Sequence, residues 1–428
     1  MGMRAGRRPT RSRGTARAER VLLLGALALL LISAGLGGAR SAAGGLSGQV
    51  LAVHVGAGSL GWLALGILAM ALGMLPSDGD GRPDDQVGYW LAWIAVAAVA
   101  AYVLVGANGP AGASAVTMTA VLAVAMAFTG WLGVVRRRTQ ATWTVSLLGA
   151  VAALAVLMTG LLLRTLAAWT AVSGHAAAAA SLTAAASAAT AVPLVVLLAS
   201  AAVEWASAPP EVATPPTTAG LVQVGVFTLA AVATIAGVLA SNLALTEANT
   251  SLVLAGIVIF GVRVSPRLLT AGWVQGSRVW LATSALAMAV DAGLFLHVVF
   301  EVGAQRYASA GLVPPWLVFT VDHVTFAGVG TAALLGMIAT RAGDRARWPA
   351  ADTTAATGLV LGIVGVALAM GAGSIVVEQA AAVVLGLSVL VAVAVAGMRV
   401  AGLAGGSYSG RPPEPPSGSG GGKTMSVP

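Results

Sequence analysis

Apolar runs of about twenty residues recur along this chain from Val21 to Arg399, and that recurrence constrains its fold more than any other feature. A hydrocarbon layer roughly 30 Å thick is crossed by about 20 helical residues. Within it every backbone N–H and C=O must be satisfied by the protein, which leaves helices or closed barrels. The runs lack the period-two alternation of barrel strands, so they read as helices. Composition agrees: 58% of the 428 residues are hydrophobic and 9% charged, against about a quarter charged in soluble domains. The expected fold is an all-α integral membrane bundle of about twelve transmembrane helices.

The first run, Val21 to about Leu36, is short and followed by Gly and Ala. It reads either as a retained helix or as a signal peptide. The further spans are expected at about 49–75, 89–107, 113–135, 142–163, 176–204, 219–240, 246–263, 279–302, 316–340, 354–373 and 379–404. Residues 1–20 carry seven arginines and read as a basic cytoplasmic tail. Residues 21–404 form one transmembrane domain, with a Pro-rich inner linker at about 205–218 between two six-helix halves. Residues 405–428, rich in Gly, Ser and Pro, read as a disordered tail.

Charge supports the alternation. With the N-terminus inside, 20 of the 23 basic residues fall on inner segments, and the outer loops keep Arg40, Arg164 and Arg306. The positive-inside rule requires such a bias, and a miscounted helix would scramble it. The expected location is the cell membrane, with both termini cytoplasmic and the lipid bilayer as the main partner. The net charge of +8 lies mostly in tails and short loops, so it is a topology signal and predicts no nucleic-acid surface. Trp90, Trp93, Trp143, Trp280 and Trp316 lie near predicted helix ends and read as interfacial residues. There is no cysteine, which excludes disulfides, thiolate metal sites and a thiol nucleophile. No phosphate-binding loop or dinucleotide fingerprint appears in a strand–helix setting.

Four histidines remain as candidates for chemistry: His54, His175, His297 and His323. The alternation puts all four in or near the outer half. A histidine inside a bilayer is costly and needs a partner or a ligand. Below His54, at helical spacing, lie Gly58 and Gly61; below His323 lie Ala327 and Gly330. A helix that ligates haem iron must clear bulky side chains from the face that the ring covers. Small residues also mark ordinary close packing between membrane helices. The pair His54 and His323 is read as the axial ligands of a b-type haem, with Arg306 as a propionate partner and Arg40 and Arg164 as alternatives. Asp322 adjoins His323 but points about 100° away around the helix, toward the outer cavity. His297 and His175 are the further metal candidates, with copper as a possible second metal. His175 also reads as a helix-start residue. Asp291, Glu301 and Asp322 are proton-relay candidates.

The helix count, with single histidines on helices 2 and 10, resembles the main subunit of haem-copper oxidases. That resemblance implies that His54 and His323 hold a low-spin haem. Helix 7 carries no histidine and His175 is not followed by the H-x-x-x-Y pattern, so the family's oxygen-reducing centre is not implied. The stretch from His323 through Gly328, Gly330 and Met337 to Arg341 is similar to the late segment of the NnrS family. Those are twelve-helix membrane proteins linked with haem, copper and nitric-oxide stress. The function implied is electron transfer or diatomic-gas chemistry with a redox partner or quinol. The rival reading is a cofactor-free transporter of two six-helix halves, with Asp291, His297 and Asp322 as coupling residues.

Overall fold

The computed structural model describes residues 13–43, 48–76, 83–106, 109–208, 215–270, 277–303, 313–342 and 348–405. Twelve helices among them are long and apolar enough to cross a membrane. They are α1 (Thr15–Ala39), α2 (Gly48–Met74), α3 (Asp85–Gly106), α4 (Ala111–Arg138), α5 (Val145–Val172) and α6 (Ala176–Ser207), then α7 (Thr218–Leu239), α8 (Ala244–Leu268), α9 (Arg278–Glu301), α10 (Pro315–Ala342), α11 (Pro349–Ala372) and α12 (Ile375–Gly402). The described residues contain no strand. The protein is an all-α, multi-pass membrane bundle.

Residue chemistry sets many helix ends. The side chains of Thr144 and Thr217 accept hydrogen bonds from the N–H groups of Leu147 and Gly220, each at 3.2 Å, and so cap α5 and α7. Pro315 and Pro349 open α10 and α11, where a missing N–H is harmless. Gly174 (φ +81°) and Gly373 (φ +67°) turn the chain after α5 and after α11 through left-handed backbone. Within α6 the helix breaks at Ala191, two residues before Pro193, which cannot donate back to the preceding turn.

Three helices form the middle of the bundle. The apolar windows of α2, α6 and α10 are 83%, 83% and 78% buried, against 33–61% for the other nine. They meet at Gly330 of α10, where a Cβ would lie 2.8 Å from the Trp62 ring of α2 and 3.2 Å from Val195 of α6. The absent side chain is what lets the three helices close on one another.

Alternation brings the starts of odd-numbered helices and the ends of even-numbered ones to a single end, termed here the N-side. Among the described residues, four buried ion pairs sit there. Arg138 of α4 meets Asp85 of α3 at 2.6 Å. Arg263 of α8 grips both oxygens of Glu204 of α6, at 2.5 and 3.3 Å, and donates to Gln223 of α7 at 2.5 Å. Arg399 of α12 forms a fork with Asp352 of α11, at 2.6 and 2.8 Å. Arg341 of α10 pairs with Glu19 of α1 and donates to the Gly73 carbonyl at the end of α2. That carbonyl is among the last of its helix, which no intrahelical N–H reaches.

Two expectations are corrected here. Trp280, near the start of α9, faces the bundle and not lipid: it is 1% exposed and its indole N–H donates to Asp352 Oδ1 at 2.9 Å. Trp205 does not belong to a loop, because α6 continues to Ser207 and places the Trp205 ring 5.1 Å from the Arg341 guanidinium. The basic segments 1–12 and 406–428 lie outside the described residues.

Candidate functional site

On the far side of the bundle, α1, α2, α10, α11 and α12 surround a cavity of about 250 Å³. This is slightly below the roughly 300–1,000 Å³ of ordinary small-molecule pockets. His54 and His323 both line it. Thus the two histidines on separate central helices are brought to one space.

A shared backbone device sets the lining. Each histidine is followed by a π-helical stretch, Ala57–Trp62 in α2 and Val324–Thr331 in α10. A π turn holds one more residue than an α turn and recurs at functional sites. Its extra residue rotates the following side chains, so positions four and eight beyond each histidine return to its face. The walls therefore include His54, Gly58 and Trp62 from α2, and His323, Ala327 and Thr331 from α10. Thr331 donates to the Phe326 carbonyl five residues back, at 2.9 Å, in keeping with the wider turn.

Helical spacing in the sequence selects Gly61 and Gly330 as well, and the structure turns both away. A Cβ on Gly61 would meet Leu29 of α1 at 3.0 Å, and Gly330 faces Trp62 and Val195. Both are packing glycines. Gly58 and Ala327 do line the cavity.

Each imidazole is held by a backbone carbonyl. His54 Nδ1 lies 2.8 Å from the Ser33 carbonyl of α1, and the Ser33 hydroxyl donates to the His54 carbonyl at 3.1 Å. His323 Nδ1 lies 2.9 Å from the Phe319 carbonyl, one turn earlier in α10. The His323 ring also stacks on Phe319, with centroids 3.8 Å apart. A carbonyl only accepts, so Nδ1 is a donor in both rings. This is the arrangement that second partners impose on metal-ligating histidines. Asp322, adjacent to His323, accepts neither Nδ1 proton; it borders the same cavity as His323.

Other expected residues lie elsewhere. His297 is exposed on α9 and His175 is exposed at the start of α6, and neither lines the cavity. His175 is the residue that precedes the first turn of α6, in keeping with a helix-start role. Among the described residues no group of three or more His, Cys, Asp or Glu is gathered as for a metal ion. Glu301 is half-buried near the end of α9. Arg306 and the side chain of Arg40 lie outside the described residues. Arg164 approaches Ser187 of α6 at 3.4 Å and is not in the cavity wall. Asp291 is 1% exposed and accepts a hydrogen bond from Thr325 at 2.8 Å, inside the π stretch of α10.

Sequence reading did not single out α1 as a wall. Ser33, Gly37 and Gly38 border the cavity. Gly37 touches His54: a Cβ there would sit 3.0 Å from its Cε1. A polar residue within an apolar helix was the available signal for Ser33, but an isolated serine does not say which neighbour it faces.

The segment from His323 to Arg341 divides its labour. His323 reaches the cavity. Gly328 admits Ala287 of α9, Gly330 admits α2 and α6, and Met337 is fully buried. Arg341 ties the N-side ends of α1 and α2 to α10. No known protein family matches the chain, and no curated protein is matched by it.

Proposed function

We propose that the far-side cavity holds a b-type haem between His54 and His323, and that the protein is an electron-transfer or diatomic-gas-handling haem protein of the membrane. One observation carries this reading: two histidines from separate central helices line a single cavity, and a backbone carbonyl accepts the Nδ1 proton of each. Imidazole suits haem iron on both faces. Gly58 and Ala327 keep the cavity face clear beside each ring. A haem bound there supplies a reversible one-electron couple. The role agrees with what the NnrS and haem-copper oxidase resemblances imply. The excess of basic residues on N-side segments supports placing that end at the cytoplasmic face of the cell membrane.

The test is an absorption spectrum of protein purified from haem-replete cells. The expected result is a Soret band, with an α-band in the reduced-minus-oxidised difference, lost in both His54→Ala and His323→Ala. Colourless wild-type protein, or bands indifferent to both substitutions, overturns the reading. A second reading, a cofactor-free proton-coupled transporter, is favoured by the isolated burial of Asp291. It is supported if a colourless preparation shows proton-linked uptake that vanishes in Asp291→Asn.

A further inference from the structure

Asp291 is near the midpoint of α9, thirteen residues beyond Arg278 in a span of 24. Its Oδ1 accepts the Thr325 hydroxyl at 2.8 Å, and its Oδ2 is buried with no hydrogen-bond partner. Among the described residues Thr325 is its one hydrogen-bond partner.

The helices packed on α9 are α6, α8, α10 and α11. Several of their charged groups are engaged in the N-side pairs Glu204–Arg263, Arg341–Glu19 and Asp352–Arg399. Arg267 lies near the N-side end of α8, and Glu247 near its far end. On α10, Asp322 and His323 lie within one turn of Thr325. Arg278 begins α9, and His297 and Glu301 lie toward its far end. Among the described residues no cation is thus paired with Asp291. An ionised carboxylate taken out of water without a partner is among the most costly groups that a protein can bury. One hydroxyl donor does not offset that cost. The neutral acid removes most of it and gives the carboxyl a hydrogen to donate.

A small polar void lies close by, and Asp291 does not line it. Ala292, the next residue, borders this void of about 10 Å³ with Val192 of α6 and Asn249 and Thr250 of α8. That is about the space of one water molecule. Asn249 Oδ1 is itself buried and lacks a partner, which a water would satisfy.

We propose that Asp291 is a proton-binding site at the middle of the membrane, a neutral and exchangeable carboxylic acid. Its hydrogen bond to Thr325 ties it to the π stretch that follows His323. The proposal does not rest on the haem reading, since it requires nothing in the cavity.

Infrared spectroscopy of the purified protein in lipid at neutral pH tests it. Wild type is expected to show the carbonyl stretch of a protonated carboxylic acid, shifted in D2O. The band should be absent in Asp291→Asn, retained but displaced in Asp291→Glu, and raised in frequency in Thr325→Val, where the hydrogen bond is lost. Circular dichroism checks that the variants remain helical, and Asp291→Glu keeps the test open if Asp291→Asn does not fold. The proposal fails if no acid band depends on residue 291, if the band ignores D2O, or if sodium abolishes it, which would make the ligand a metal cation.

Discussion

The two ends of this bundle are held by different means. At the N-side, four arginines meet four carboxylates, with side-chain exposures of 2–13%. At the far side, the cavity histidines are held by hydrogen bonds to backbone carbonyls and by ring stacking. Ion pairs placed away from water are sensitive to the loss of either member. A carbonyl fixes an imidazole's orientation and tautomer without adding charge. The contrast teaches that the buried ion pairs and the cavity histidines are separated along the length of the helices. The same helices serve both: α1, α2 and α10 are joined by Arg341 at one end and surround His54 and His323 at the other. The histidines also differ. His323 is held within its own helix, whereas His54 depends on Ser33 of α1, so the site is incomplete without α1.

That comparison can be tested from either end. The largest effect is expected at the N-side. Asp352→Ala removes the fork that Arg399 makes deep in the bundle and the acceptor of the Trp280 indole. It should destabilise the fold by roughly 3–5 kcal/mol. Thermal unfolding in detergent measures this, and Asp352→Leu combined with Arg399→Met should restore much of the loss. A milder effect of the single change than of cavity substitutions would undo the contrast. Next comes Gly58→Leu, which projects a side chain where the cavity now lies. A Cβ there already comes within 2.9 Å of Ser33 Oγ. The expected cost in stability is about 1–3 kcal/mol, with cofactor absorbance reduced more than tenfold. Retained absorbance would show that the bound group does not use this face. The smallest effect is expected from Gly37→Ala, whose methyl presses on His54 and strains its hydrogen bond to Ser33. Unfolding should move little, while cofactor affinity falls by about 1 kcal/mol, read as faster loss to a haem-accepting apoprotein.

Much was legible in the sequence because the bilayer restricts the possible folds. Runs of about twenty apolar residues in a chain with so few charges leave helices as the reading, and the structure contains twelve such spans. Histidine and aspartate stand out in such a chain because burying them is costly, so His54, His323 and Asp291 were identifiable as residues that need partners. The partners themselves were not identifiable. Helical spacing assumes 3.6 residues per turn, and the π stretches after both histidines break that assumption. They bring Trp62 and Thr331 to the cavity and turn Gly61 and Gly330 toward neighbouring helices. Likewise the excess of arginine at one end is a local property of the chain, whereas its pairing is not. That Arg341 meets Glu19 across more than three hundred residues, and that Ser33 holds His54, depends on which helices become neighbours. In lipid any apolar face can pack against any other, so the apolar pattern fixes the number of helices and leaves their arrangement open. Small residues, buried charge pairs and single carbonyls decide that arrangement, and only the tertiary structure shows where they meet.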